Sequence, residues 1–91
     1  MANARAQNVL ILDTTGQING DLQICSIKLM SGSDAATLTV KADSTGGTVV
    51  WEMEAGAANT NVFEQDLELR LPGGAYFTFT GTSPKAYVVL K

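Results

Sequence analysis

Residues 36–54, ATLTVKADSTGGTVVWEME, set the period on which the rest of the chain is read. Ala36, Leu38, Val40 and Ala42 alternate with Thr37, Thr39 and Lys41, a period of two that puts one set of side chains on each face of an extended strand. Asp43 to Gly47 is a polar, glycine-ended loop, and beyond it Val49, Trp51 and Met53 alternate with Val50, Glu52 and Glu54. The two runs predict a hairpin, apolar inward and polar outward. Trp51 shares its side with Val49 and Met53, which assigns it to the core.

Working outward, the same punctuation recurs. Val9 to Leu12 is a short apolar run closed by Asp13-Thr14-Thr15-Gly16 and reads as a buried strand. Asn19-Gly20 is the dipeptide that tolerates positive φ at both central positions of a type I′ turn, so a chain reversal is expected there. Asp21 to Met30 follows as a strand, with Cys25, Ile27 and Leu29 on one side and Ile24, Ser26, Lys28 and Met30 on the other. Residues 62–71 satisfy two patterns. Phe63, Leu67 and Leu71 fit a helical stripe, while Leu67, Leu69 and Leu71 alternate with Asp66, Glu68 and Arg70 as in a strand, the reading we prefer. Pro72-Gly73-Gly74 breaks the chain before Ala75, Phe77 and Phe79, and Gly81-Thr82-Ser83-Pro84 breaks it before the last run, Lys85 to Lys91. Six to seven short strands separated by glycine-bearing turns predict an all-β sandwich or small barrel.

Composition narrows the chemistry. The 91 residues hold six basic and nine acidic side chains, a net charge of -3, which is the wrong sign for neutralising phosphates or an anionic bilayer. We expect no nucleic-acid partner and no membrane. The longest apolar runs, Val9 to Leu12 and Ala86 to Leu90, are far short of the ~20 residues a spanning helix needs. Residues 1–8 lack the apolar stretch of a signal peptide and read as a flexible polar arm ahead of a single domain, 9–91. The chain contains no histidine and one cysteine, so the commonest general base, the commonest metal ligand and an internal disulfide are all missing. We expect no catalytic residues, metal or cofactor. Cys25, with no histidine to activate it, is assigned to the core as a small reduced hydrophobe.

The acidic pairs Glu52 with Glu54, and Glu64, Asp66 and Glu68, fall at i, i+2 spacing and are read as solvated strand faces whose like charges deter edge pairing. Tyr76 and Tyr87 lie opposite the core-facing set of their strands, and Tyr87 has Val89 beside it. The last strand is therefore apolar on both sides, and either runs between two covered layers or presents one face to a partner. Tyr76, Tyr87 and Val89 are the candidate interface residues. A chain of this size buries about 60–65% of its unfolded surface. Association with copies of itself is one way to add more.

The order SGSDAATLTVKADSTGGTVVWEMEA, then an Asn-Thr step, an acidic apolar run, a Gly-Gly-x-Tyr-Phe strand and a closing GTSPKAYVVLK resembles the small virion structural proteins of tailed bacteriophages, decoration proteins or head- or tail-associated components. The resemblance covers residues 26–91 and rests on strand-and-turn order. It implies an antiparallel β-sandwich, jelly-roll-like or immunoglobulin-like, that performs no catalysis, forms a homo-oligomer with a trimer favoured, and attaches to a capsid or tail protein. It further implies location in the virion and an attachment role for the arm. The alternative expectation is a carbohydrate-binding, receptor-facing module of a phage fibre, with Tyr76 and Tyr87 as its aromatic platforms.

Overall fold

The computed structural model describes residues 4–6, 8–43, 46–57 and 60–91. Among them the chain forms ten strands and no helix: β1 (Ala4–Ala6), β2 (Val9–Leu12), β3 (Gly16–Ile18), β4 (Leu22–Met30), β5 (Ala36–Ala42), β6 (Val49–Ala55), β7 (Asn61–Glu64), β8 (Leu69–Leu71), β9 (Ala75–Thr80) and β10 (Lys85–Leu90). They make two antiparallel sheets. One runs β1-β2-β10-β4-β7, with β8 also on β4, and the other runs β3-β9-β5-β6. The accessible surface of 4969 Å² is what the scaling law gives for a compact monomer of this mass.

The pairing is nested. β5 pairs β6, β4 pairs β7 and β8, β3 pairs β9, and β2 pairs β10, so the first half of the chain lies antiparallel to the second throughout. Two further pairings, β10 with β4 and β9 with β5, close this ribbon into two sheets. Such a rolled ribbon has the connectivity of a jelly roll. Its interior is filled by Leu10, Leu12, Ile27, Leu29 and Val88 from the six-stranded sheet and by Leu38, Val40, Met53 and Phe77 from the four-stranded one, with Phe77 the largest fully buried side chain.

The hairpin expected at 36–54 is β5 with β6, in register from Ala36 opposite Ala55 to Val40 opposite Trp51. The register then steps, so that Lys41 faces Val49. This irregularity alters the expected faces: Val50 packs partly on the core while Val49 turns outward, 45% exposed. Trp51 is half-buried against the core, opposite Val40.

Three expectations need correction. Asn19-Gly20 is no hairpin turn, because β3 belongs to the four-stranded sheet and β4 to the six-stranded one. Gly20 has φ +102° but Asn19 is not among the positive-φ residues, so the type I′ geometry is missing and the segment is a crossing between layers. Cys25 is half-buried outside the core cluster. Val89 pairs with Ser26 and Leu90 with Ile24, so the ladder steps past Cys25 in a β-bulge. The bulge lets Leu22 and Ile24 point inward on one side of it and Ile27 and Leu29 on the other. The 62–71 stretch is extended, as preferred, but in two pieces. β7 pairs residues 27–30 of β4, β8 pairs residues 22–24, and the chain between them loops out beside the bulge, with Asp66 at φ +58° and the Leu67 N–H donating to the Cys25 carbonyl at 2.9 Å. Glu64, Asp66 and Glu68 therefore do not line up on one strand.

The strand count exceeds the expected six to seven because β1, β3 and β8 have three residues each, too few for a period of two to register. Residues 1–3 and 7 of the expected arm, and 44–45 of the loop after β5, lie outside the described residues. Ala4–Ala6 of the arm pairs antiparallel with β2. Two devices hold the connections between layers. Gly74, at φ +92°, sits where a Cβ would lie 2.4 Å from the Ile18 carbonyl oxygen, so only glycine fits the passage beside β3. Ser31, a buried polar residue, donates from Oγ to the Gly56 carbonyl at 2.6 Å and accepts from the Thr60 N–H at 2.9 Å, tying the β6–β7 connection to the end of β4.

Candidate functional site

Directly opposed residues of an antiparallel pair project to the same side of the sheet. On the six-stranded sheet, Leu10, Leu12, Ala86, Val88, Leu90, Ile27 and Leu29 point into the core. The intervening residues must point out. Register groups them in rows: Val89 between Val9 and Ser26, Tyr87 between Ile11 and Lys28, Lys85 beside Met30, with Phe63 and Asn61 continuing the Lys28 and Met30 rows on β7. Val9, Ile11, Met30, Tyr87 and Val89 are each half-buried, and Phe63 is 52% exposed. The outcome is an outward sheet face whose centre is aliphatic and aromatic.

Its charge is one-sided. Lys28 and Lys85 stand on it, and no outward position of β2, β10, β4 or β7 carries a carboxylate. In a chain of net charge -3 this face is locally cationic. Long lysine stems can lie along the apolar surface with their ammonium groups at the rim.

The four-stranded sheet presents the opposite chemistry. Its outward rows are Glu54-Thr37-Thr80, Glu52-Thr39-Thr78 and Lys41-Tyr76-Gln17. Thr37 and Thr80 share a hydroxyl–hydroxyl hydrogen bond of 2.5 Å, and Gln17 donates from Nε2 to the Asp43 carbonyl at 2.5 Å. Of the three candidate interface residues, Tyr87 and Val89 thus come together on one face. Tyr76 lies on the other layer, pointing away from them.

The remaining polar features are dispersed. Glu52 and Glu54 are exposed on β6, and Glu64, Asp66 and Glu68 are exposed along the β7–β8 edge. Among the described residues no three His, Cys, Asp or Glu side chains converge as a metal site. A shallow hollow of about 300 Å³ is lined by Gln23, Ile24, Glu68, Leu69, Arg70 and Lys91. There the Gln23 amide oxygen accepts from Arg70 Nε at 3.1 Å and Nη2 at 2.9 Å. A second hollow, about 350 Å³, lies between Asp13, Ser83, Pro84 and Lys85. Both are open to solvent. The Trp51 Nε1–H is buried and meets no acceptor among the described residues. The Cys25 thiol lies 3.4 Å from the Val89 carbonyl, a weak hydrogen bond in which the thiol donates.

Val9, Ile11, Met30 and Phe63 complete a surface for which the sequence had indicated only Tyr87 and Val89. The available signal was the run Val9 to Leu12, apolar at every position and so apolar on both faces. Compared with known proteins, the chain matches no family model. No curated protein matches it significantly.

Proposed function

We propose that the protein is a non-catalytic structural component of a bacteriophage particle, acting by self-association and by attachment to a capsid or tail protein. The observation that carries this reading is the difference between the two sheet faces: one is mostly threonine and carboxylate, with Lys41, Tyr76 and Val49 at one end, and the other is centred on Val9, Ile11, Met30, Tyr87 and Val89. Threonine satisfies the conformational demands of an outward strand position as well as valine or isoleucine does, so folding alone gives no reason to expose the apolar set. A half-buried apolar sheet face with no layer of its own chain over it is a candidate contact surface. The resemblance of residues 26–91 to virion structural proteins supplies the setting, and adhesion through buried area supplies the mechanism.

A glycan platform built jointly on Tyr76 and Tyr87 is disfavoured, since one saccharide cannot stack on side chains of opposite layers. The reading is tested by light scattering above about 10 µM, where a contact of micromolar Kd is occupied. Wild type is expected to be oligomeric and Val89→Asp to be smaller with its strand spectrum unchanged. A monomeric wild type refutes self-association. Attachment is tested separately, by co-sedimentation of labelled protein with particles stripped of it.

A further inference from the structure

Past the bulge at Cys25 the six-stranded sheet carries one more outward row, beyond its apolar centre. β8 sets Arg70 opposite Gln23, and the Lys91 N–H donates to the Gln23 carbonyl at 2.7 Å, which puts Lys91 on the other flank of Gln23. The neighbours of these residues, Leu22, Ile24, Leu71 and Leu90, point into the core. Arg70, Gln23 and Lys91 therefore stand together on the outer side, and all three line the shallow hollow of about 300 Å³.

The row is made of hydrogen-bond donors. The Gln23 amide oxygen accepts from both Arg70 Nε, at 3.1 Å, and Nη2, at 2.9 Å. That contact turns the Gln23 NH2 group away from Arg70 and fixes the plane of the guanidinium, leaving its Nη1 end to face a ligand. Among the described residues the guanidinium is held by a neutral amide, with no carboxylate against it. The backbones of Arg70 and Lys91 are two strand spacings apart, about 10 Å, so a group seated over Gln23 is within reach of both long side chains. The lining holds two cations, Arg70 and Lys91, and one carboxylate, the exposed Glu68. The hollow is thus cationic in a chain of net charge -3. Lys28, on the same face, has Tyr87 and Phe63 as its row neighbours and no such company of donors.

We propose that Arg70, Gln23 and Lys91 form a binding site for a carboxylate. A carboxylate is planar, carries the single negative charge that balances the two cations against Glu68, and accepts parallel N–H bonds from a guanidinium. Its oxygens accept from the Nη1 end of Arg70, the Gln23 NH2 and the Lys91 ammonium. The group belongs to a small free acid or to an acidic side chain of a protein docked over the face. The site does not rest on the self-association reading, since every residue in it comes from one copy of the chain.

Heteronuclear NMR of the full chain tests the site by titration with sodium acetate, with ionic strength held constant by sodium chloride. Saturable shifts are expected at the Gln23 side-chain NH2 and at Arg70 Nε, with the Lys28 and Lys85 amides unmoved. Arg70→Lys keeps the charge and loses the planar fork, and is expected to weaken acetate binding about 5-fold or more. Glu68→Gln removes the rival carboxylate and is expected to tighten it about 2- to 5-fold. Both side chains are exposed, so the strand spectrum is expected to stay unchanged. Shifts that remain linear in acetate, or an Arg70→Lys variant that binds as wild type does, overturn the site. Inorganic phosphate bound more tightly than acetate overturns its assignment to a carboxylate. Molar mass separates the two sources: Arg70→Glu lowers it where the carboxylate comes from a neighbouring copy and leaves it unchanged where the ligand is a free acid. A monomeric wild type whose Gln23 and Arg70 signals still saturate removes the self-association reading and supports this site.

Discussion

The two broad faces of this sandwich are made by the same alternation and cover the same core, yet one is mostly threonine and glutamate, with Lys41, Tyr76 and Val49 at one end, and the other is mostly valine, isoleucine, methionine and tyrosine beside two lysines. On β5 and β9 the outward residues are Thr37, Thr39, Lys41, Tyr76, Thr78 and Thr80; on β2 and β10 they are Val9, Ile11, Lys85, Tyr87 and Val89. Strand formation is served by both sets, because β-branched and aromatic side chains are good strand formers whether or not they carry a hydroxyl. On the function proposed above, the outward positions of the six-stranded sheet serve self-association or attachment to a larger body as well as folding.

The largest expected effect separates two neighbours on β10. Val88 is fully buried and Val89 faces outward. Val88→Asp puts an unpaired carboxylate in the core between Leu10 and Ile27 and is expected to cost more than about 4 kcal/mol, enough to unfold the domain and lose both faces. Circular dichroism and denaturant titration read this directly, and a folded Val88→Asp contradicts the inward assignment. A smaller loss is expected from Ser31→Ala. It removes the partner of the Thr60 N–H and the Gly56 carbonyl, both on exposed residues, and is expected to destabilise by about 0.5–1.5 kcal/mol while loosening the connection that leads into β7. Hydrogen exchange should then rise at residues 60–64 before it rises on β5 and β9, whereas a uniform rise places the effect in the core.

Smaller still are two changes that sharpen the contrast without removing it. Cys25 sits at the bulge, half-buried, and its thiol is expected to react with a labelling reagent in the folded protein. A thiol that reacts only on global unfolding places Cys25 in the core and removes the bulge. Thr78→Asp, at the centre of the polar face, is expected to change stability by no more than about 0.5 kcal/mol and to leave the oligomer untouched. Loss of the oligomer in that variant shows that the threonine face also makes contacts.

How far these faces were legible in the sequence follows from what a period of two can report. It reports which residues alternate, and so it gave β5, most of β6, β9 and β10 with their inward sets. It does not report where a ladder skips a residue. On β4 the inward residues change phase at Cys25, and the alternation of Cys25, Ile27 and Leu29 continues smoothly through a bulge visible only in the pairing with β10. Nor does it say which sheet a strand joins. Tyr76 and Tyr87 occupy equivalent outward positions in their strands, and only the nested pairing puts them on opposite layers. Val9 and Ile11 were hidden for a related reason. A strand apolar at every position has the same pattern whether both faces are covered or one is offered to a partner. Phe63 fell in the stretch where helical and strand spacings compete, because β7 and β8 are separated by a loop that breaks the alternation.

The most direct test of the contrast between faces is molar mass by light scattering, taken at one concentration above about 10 µM for wild type, Val89→Asp and Thr78→Asp, with strand content checked for each. Wild type and Thr78→Asp are expected to be oligomeric and Val89→Asp folded and smaller. Equal masses for wild type and a folded Val89→Asp contradict a contact role for the six-stranded face.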